Sequence, residues 1–177
     1  MALFTDRTIL SAVQSSDLAS IHALLSFPET DEYNTLGIPK NEEETRAIMT
    51  PWVEEHTSNP RSAFTFAIKD KSDHSFLGLI AMVLGKVNYR RAEVWFKIHP
   101  NHWNKGVASE TLSRTITFGF EELKLHRIEA GCAVGNIGSI KVLEKVGMTR
   151  EGRGRQVLPL KTGWSDNYEY AVLESDD

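Results

Sequence analysis

Apolar positions along the chain repeat with two periods, and the switches between them mark out its elements. Arg7 to Val13 is rich in β-branched and apolar residues and reads as a strand; Leu18, Ile21, Leu24 and Leu25 then recur at helical spacing behind a Ser16 or Asp17 cap. A polar loop through Pro28, Asp31 and Gly37 follows. Asn41, with Glu44 three residues on, makes a capping-box start for a second helix, which Pro51 is expected to kink or divide near Trp52. Phe64, Phe66 and Ile68 alternate with Ala63, Thr65 and Ala67, and Phe76 to Leu84 continues the pattern beyond the polar Lys71 to His74, giving a hairpin. A third run, Ala92 to Ile98, follows the turn at Asn88 and Tyr89 and stops at Pro100.

From Val107 the period changes again. Ala108, Leu112, Ile116, Phe120 and Leu123 line one side of a long helix, and Arg127 to Ala133 reads as a strand. Asn136 caps a last helix with Val142, Leu143 and Val146 inward and Gly147 at its end; Thr149 to Val157 and Tyr168 to Leu173 read as a closing strand pair. This order predicts a mixed α/β layer containing one parallel crossover, which runs through the helix that starts near Val107.

Composition adds bounds. With 177 residues, 41% hydrophobic and 25% charged, the chain reads as one domain spanning 1–177. A formal charge of −4 provides no field favouring nucleic acid or anionic lipid, so neither is an expected partner. Cys132 is the only cysteine, which excludes an internal disulfide. The first residues have no leader-like pattern, and a reduced, cytoplasmic setting is expected. The longest apolar run, Phe76 to Leu84, is strand-sized and too short to span a bilayer. The six histidines show no metal-ligand spacing with Cys132, and no metal is expected.

The segment from His99 to Ala108 joins a strand to a helix through a turn that carries Gly106. Such a junction leaves backbone N–H groups unpaired beside the positive end of a helix dipole, where a phosphate can sit. A nucleotide P-loop is disfavoured: the local order is Lys105-Gly106, and no Gly-Lys-Ser or Gly-Lys-Thr follows.

Trp103-Asn104-Lys105-Gly106-Val107-Ala108 resembles the acyl-CoA pyrophosphate loop of the GNAT superfamily of N-acetyltransferases. The Trp start, the internal Lys-Gly and the following Ala-Ser-Glu are similar to the Rim-type branch, which acetylates protein N-termini and small amines. Asn136-Ile137-Gly138-Ser139, followed by Val142 to Met148, is similar to that branch's second cofactor motif. Leu125 to Ala130 and Gly163 to Asp166 with Tyr170 extend the likeness over most of the chain after Arg7. Two positions depart from the pattern. Asn104 stands where glycine is common, and Leu143 stands where many superfamily members carry a tyrosine acid.

The resemblance implies an α/β fold with a central, mostly antiparallel sheet of about seven strands, a parallel pair splayed at the acyl-CoA site, and about four flanking helices. Acetyl-CoA is then the expected co-substrate. Its expected contacts are Phe96 and Ile98, then Trp103, Asn104, Lys105, Gly106, Val107, Ala108 and Ser109, and finally Asn136 and Ser139. The implied activity is N-acetylation of a small-molecule amine or a protein N-terminus, with a homodimer as a possible assembly.

A primary amine is mostly protonated near neutral pH, so attack on a thioester needs a base; Glu93 is the first candidate, ahead of Glu129 and Asp166. Ser139 is the candidate acid for the departing thiolate, while the backbone amides around Trp95, Phe96 and Ile98 are candidates to polarise the thioester carbonyl. Cys132 has no recognisable base partner and reads as a packing thiol. Arg150, Arg153 and Arg155 alternate as on a solvated strand face, or could meet an acidic acceptor or the adenosine 3′-phosphate. The competing reading is an acyl-CoA-binding sensor or interaction domain without catalysis.

Overall fold

The alternating runs join a single eight-stranded sheet in the computed structural model, which describes residues 1–176. Its strands are β1 (Ala2–Phe4), β2 (Thr8–Ala12), β3 (Ala63–Asp70), β4 (Phe76–Leu84), β5 (Arg91–Ile98), β6 (Arg127–Ala133), β7 (Thr149–Leu160) and β8 (Gly163–Leu173). They lie in the order β1-β2-β3-β4-β5-β6-β8-β7, antiparallel at every junction except β5 with β6. The helices are α1 (Leu18–Ser26), α2 (Pro28–Asp31), α3 (Glu42–Glu55), α4 (Val107–Glu121) and α5 (Ile137–Lys145). The parallel pair is the crossover anticipated through α4.

Strand periodicity sends alternate side chains to opposite faces, and each face has its own core. On one, Phe66, Ile80, Met82 and Val94 pack with Leu112 and Phe118 of α4 and Leu143 of α5. On the other, Ala67 and Leu79 pack with Ile21 and Leu24 of α1 and Met49 of α3, where Trp95 of β5 meets Trp52 at 5.6 Å between ring centroids. Burying a side chain such as Leu112, which is fully buried, contributes roughly 1.5–3 kcal/mol, so these two layers fix β5 between α3 and α4.

Several elements differ from the sequence reading. Pro51 lies inside α3 without dividing it; the ring removes one ladder hydrogen bond, while Met49 and Trp52 stay anchored in the second core. The loop expected through Pro28 and Asp31 contains the one-turn α2, with Pro28 at its first position. The buried side of α4 is formed by Val107, Thr111, Leu112, Thr115, Ile116, Phe118 and Gly119, whereas Ala108 and Phe120 are half-buried. Thr111 and Thr115 qualify because their hydroxyls donate to the Val107 and Thr111 carbonyls, at 2.9 and 2.8 Å. β1 is a three-residue edge strand too short to show a period. The closing strands run further than expected, so Leu158 to Asp166 is the tip of a hairpin and not a separate loop.

One register decides where chemistry can occur. β5 pairs with β6 only at Arg91↔Arg127, Ala92↔Ile128 and Glu93↔Glu129. Beyond these, residues 94–98 and 130–133 have no partner across the junction, and the sheet opens into a gap.

Candidate active site

α4 begins beside this gap. After Ile98 the chain makes a 3-10 turn, Pro100–His102, in which the His99 side chain accepts from the Asn101 amide at 3.2 Å. Trp103 then donates from Nε1 to the Ile98 carbonyl at 2.7 Å, folding the loop back on the end of β5. Asn104 has φ 60° and Gly106 has φ 80°, both left-handed, so the turn expected at Asn104 is made without glycine. Gly106 is the N-cap of α4 and offers no side-chain acceptor, leaving the first amides of the helix without a capping group. Trp103, Asn104 and Lys105 are exposed, whereas the Val107 side chain is buried, so Val107 presents only its backbone here.

The cradle is braced from the start of the chain. Arg7 donates through Nε to Glu110 at 2.6 Å and through Nη1 to the Lys105 carbonyl at 2.9 Å, and its own amide donates to the same Glu110 carboxylate at 3.0 Å. Thr5 donates to it as well. Burial pushes the Glu110 carboxyl up, but the hydrogen bonds from Thr5 and Arg7 outweigh this and leave it below the ordinary carboxylate range. Sequence reading did not single out Arg7, because its partners lie about a hundred residues away.

On the far side of the gap, Asn136 caps α5 by accepting from the Ser139 amide at 3.1 Å, which leaves its amide nitrogen free to donate. Ser139 is half-buried, and among the described residues its hydroxyl has no partner. Leu143 is buried in the core, so no acid faces the gap from that position. The Tyr170 hydroxyl cannot substitute: it donates to Glu144 at 3.1 Å and is pushed up to about 12 by burial and that carboxylate.

Phe96 and Ile98 point to the α4 face, while Glu93, Trp95 and Lys97 point to the α1 and α3 face. Glu93 closes the last β5–β6 pair, is exposed, and among the described residues makes no ion pair. The other two base candidates are engaged. Glu129 accepts from Arg127 Nε at 2.7 Å, and Asp166 accepts from Arg153 Nε at 2.7 Å and the Gln156 amide at 2.8 Å. Cys132 is buried and pushed up to about 11 by burial, in keeping with a packing thiol. Arg150 and Arg153 stack on Tyr168 at 4.5 and 5.9 Å in a shallow cleft on the β7 edge, two strands from the gap. Among the described residues, no group of three or more His, Cys, Asp or Glu could hold a metal ion, and no helix is long and apolar enough to cross a membrane.

The two motifs therefore face each other across a splayed parallel pair, and residues 7–149 match the family described as the acetyltransferase (GNAT) domain. The chain belongs to the GNAT acetyltransferase family. An uncharacterized N-acetyltransferase of Bacillus subtilis (strain 168), YnaD, is 30% identical over 178 residues, 99% of each chain. The solved GNAT-family acetyltransferase from Bacillus anthracis is 29% identical, with a TM-score of 0.86 over 98% of this chain and 99% of that one. RimL, a ribosomal L7/L12 alpha-N-protein acetyltransferase solved in complex with coenzyme A, has a TM-score of 0.88 over 100% of both chains at 19% identity, a likeness of fold.

In this GNAT enzyme one side of the gap is covered by the segment that follows α1, where the sequence predicts a polar loop. Phe27 packs edge-on against His99 at 4.7 Å, the Tyr33 ring lies against Gly135, and Asp31 meets Lys161 of the β7–β8 turn at 3.4 Å. Residues 27–33 thus form a strap from the end of β5 to the β6–α5 turn and the hairpin tip. Under it, Lys97 is half-buried and pushed down to about 8 by burial, against the opposing charge of Asp31. A lysine inside the apolar run Val94 to Ile98 was the one available sequence signal for this side of the site.

Proposed function

We propose that this acetyltransferase moves the acetyl group of acetyl-CoA directly to a primary amine, either a protein N-terminus or a small-molecule amine. The observation that carries the reading is the uncapped start of α4 beside the β5–β6 gap, with Asn136 on the opposite bank. The amides of Val107, Ala108 and Ser109 hold the pyrophosphate at the positive end of the helix, and exposed Lys105 adds a cation. The open edge of β5 at Phe96 and Ile98, with the amide nitrogen of Asn136, hydrogen-bonds the pantetheine arm and polarises the thioester carbonyl.

Transfer forms a C–N bond and breaks a C–S bond; an acceptor that arrives as ammonium loses one proton before attack and a second once the C–N bond has formed, while the leaving thiolate takes one, so one proton is released to solvent. Glu93, the unpaired carboxylate at the foot of the gap, accepts the first through water and passes it to solvent, and the unpartnered Ser139 hydroxyl protonates the thiolate and is replenished by the second. A free thiol has an ordinary pKa near 8.5, so protonating the thiolate needs little assistance, and a leucine at position 143 is tolerable. Most of the acceleration then comes from positioning and carbonyl polarisation.

The test is release of free thiol from acetyl-CoA with N-terminal peptides, polyamines, aminoglycosides and amino acids as acceptors. Thiol release that depends on one of these supports transfer. Tight binding of acetyl-CoA with no release across the panel sinks this reading and favours a non-catalytic acyl-CoA sensor.

A further inference from the structure

Asp31 is an aspartate that the cradle and the gap do not explain. It ends the one-turn α2, in the strap, and its side chain is only 6% exposed. One oxygen, Oδ2, meets Lys161 at 3.4 Å, but that lysine is 69% exposed and free to swing away. The other oxygen, Oδ1, is buried and among the described residues has no hydrogen-bond partner. Lys97 lies near enough to feel the charge, yet no ion pair joins the two, so it offers Asp31 charge and no hydrogen bond. A buried carboxylate oxygen left unpaired is costly, and it persists where a donor arrives from outside the chain.

Its location says which donor. The pyrophosphate cradle lies with α4 on one face of the sheet, and the strap lies with α1 and α3 on the other. The β5–β6 gap joins these two sides, so an acetyl group held from the cradle side is met by an acceptor entering under the strap. Resting on the proposed transfer to an amine, we propose that Asp31 anchors the acceptor: its unpartnered oxygen accepts a hydrogen bond from an ammonium group of the incoming amine. The acceptor class is then a cationic amine, selected by charge before one of its nitrogens is deprotonated for attack. Asp31 is a specificity residue in this scheme and takes no proton; Glu93 keeps that part.

The test uses a charged ligand and its neutral isostere, n-butylamine and 1-butanol, titrated into full-length protein saturated with CoA. The wild type is expected to bind the amine about tenfold more tightly than the alcohol, and Asp31→Asn to erase that preference while leaving acetyl-CoA affinity unchanged. Lys161→Met, which removes the one cation among the described residues that pairs with the carboxylate, is expected to raise the preference and decides the matter if Asp31→Asn does not fold. A wild type without preference, a preference that survives in Asp31→Asn, or one that stays level or falls in Lys161→Met overturns the assignment. The readout needs no turnover: absence of thiol release refutes the transfer reading, whereas failure of the amine preference refutes only Asp31.

Discussion

Replacing Gly106 by alanine tests whether the cradle's backbone geometry binds the cofactor. Gly106 sits at φ 80° and ψ 0°, where an L-residue pays roughly 1–2 kcal/mol. Alanine recovers about 0.4–1 kcal/mol by restricting the unfolded chain, leaving a net loss of about 1 kcal/mol if the backbone stays in place. The new Cβ would meet Arg7 Nη2 at 3.2 Å, the tip of a flexible side chain, so crowding is the smaller effect, although relieving it loosens the bond to the Lys105 carbonyl. If the backbone instead relaxes to negative φ, the peptides on either side rotate and the first amides of α4 swing off their common direction. The first route predicts a folded protein whose melting temperature falls by about 2–4 °C with acetyl-CoA affinity held, and the second a protein that melts near wild type but whose acetyl-CoA affinity drops about tenfold or more, read by thermal shift and calorimetry. Asn104→Gly is the control, since φ 60° at that position is relieved and not imposed, and affinity should be retained. A Gly106→Ala protein that melts as wild type does, its backbone therefore relaxed, yet binds acetyl-CoA within about twofold of wild type would refute the argument that these amides hold the pyrophosphate.

Three further outcomes follow from the same geometry. Arg7→Ala removes a partly exposed ion pair, worth about 0.2–1 kcal/mol, and the bond to Lys105, worth about 0.5–1.5 kcal/mol; stability should fall by about 1–2 kcal/mol in denaturant titration, with weaker acetyl-CoA binding and kcat retained at saturation. Because the folded Glu110 value lies below its unfolded one, the brace contributes fully above the unfolded value and is lost as acidification passes the lowered one, so Arg7→Ala should flatten the acid limb of the stability curve. Glu93→Gln is expected to lower kcat/KM about a hundredfold near neutral pH, with the deficit shrinking at higher pH as the amine loses its proton unaided; a deficit independent of pH argues against the base role. Cys132, raised from 9.0 to about 11, should react with iodoacetamide at pH 8 about a hundredfold more slowly than a free thiol until the protein unfolds, and rapid labelling of native protein would show that the β6–α5 region opens.

What could be read from the sequence was local. Gly106 needs only its own φ, Asn136 caps a helix three residues away, and the alternation of Phe64, Phe66 and Ile68 is a property of one strand; each appears in the fold as expected. The apolar stripe Ala108, Leu112, Ile116, Phe120 and Leu123 packs on one core as its spacing predicts, and Thr111 and Thr115 of α4 join it because they satisfy their hydroxyls within the helix and then pack as small apolar groups. Propensity predicts that Pro51 kinks or divides its helix near Trp52; α3 is not divided there, because the anchors Met49 and Trp52 on either side of the proline hold it in the second core.

The strap is a different case, and the contrast bears on how acceptor choice is encoded. The cradle is built from backbone groups within about ten consecutive residues, so its ligand leaves a compact signature and tolerates little change in φ. Asp31, Lys97 and Lys161 are brought together from α2, β5 and the β7–β8 turn, and no period or spacing relates them. A change at position 31 or 161 alters charge under the strap without touching Gly106, Arg7 or Asn136. Acceptor preference can therefore shift while the acetyl-CoA half of the site stays the same, because the two halves lie on opposite faces of one sheet and meet only at the gap beyond Glu93 and Glu129.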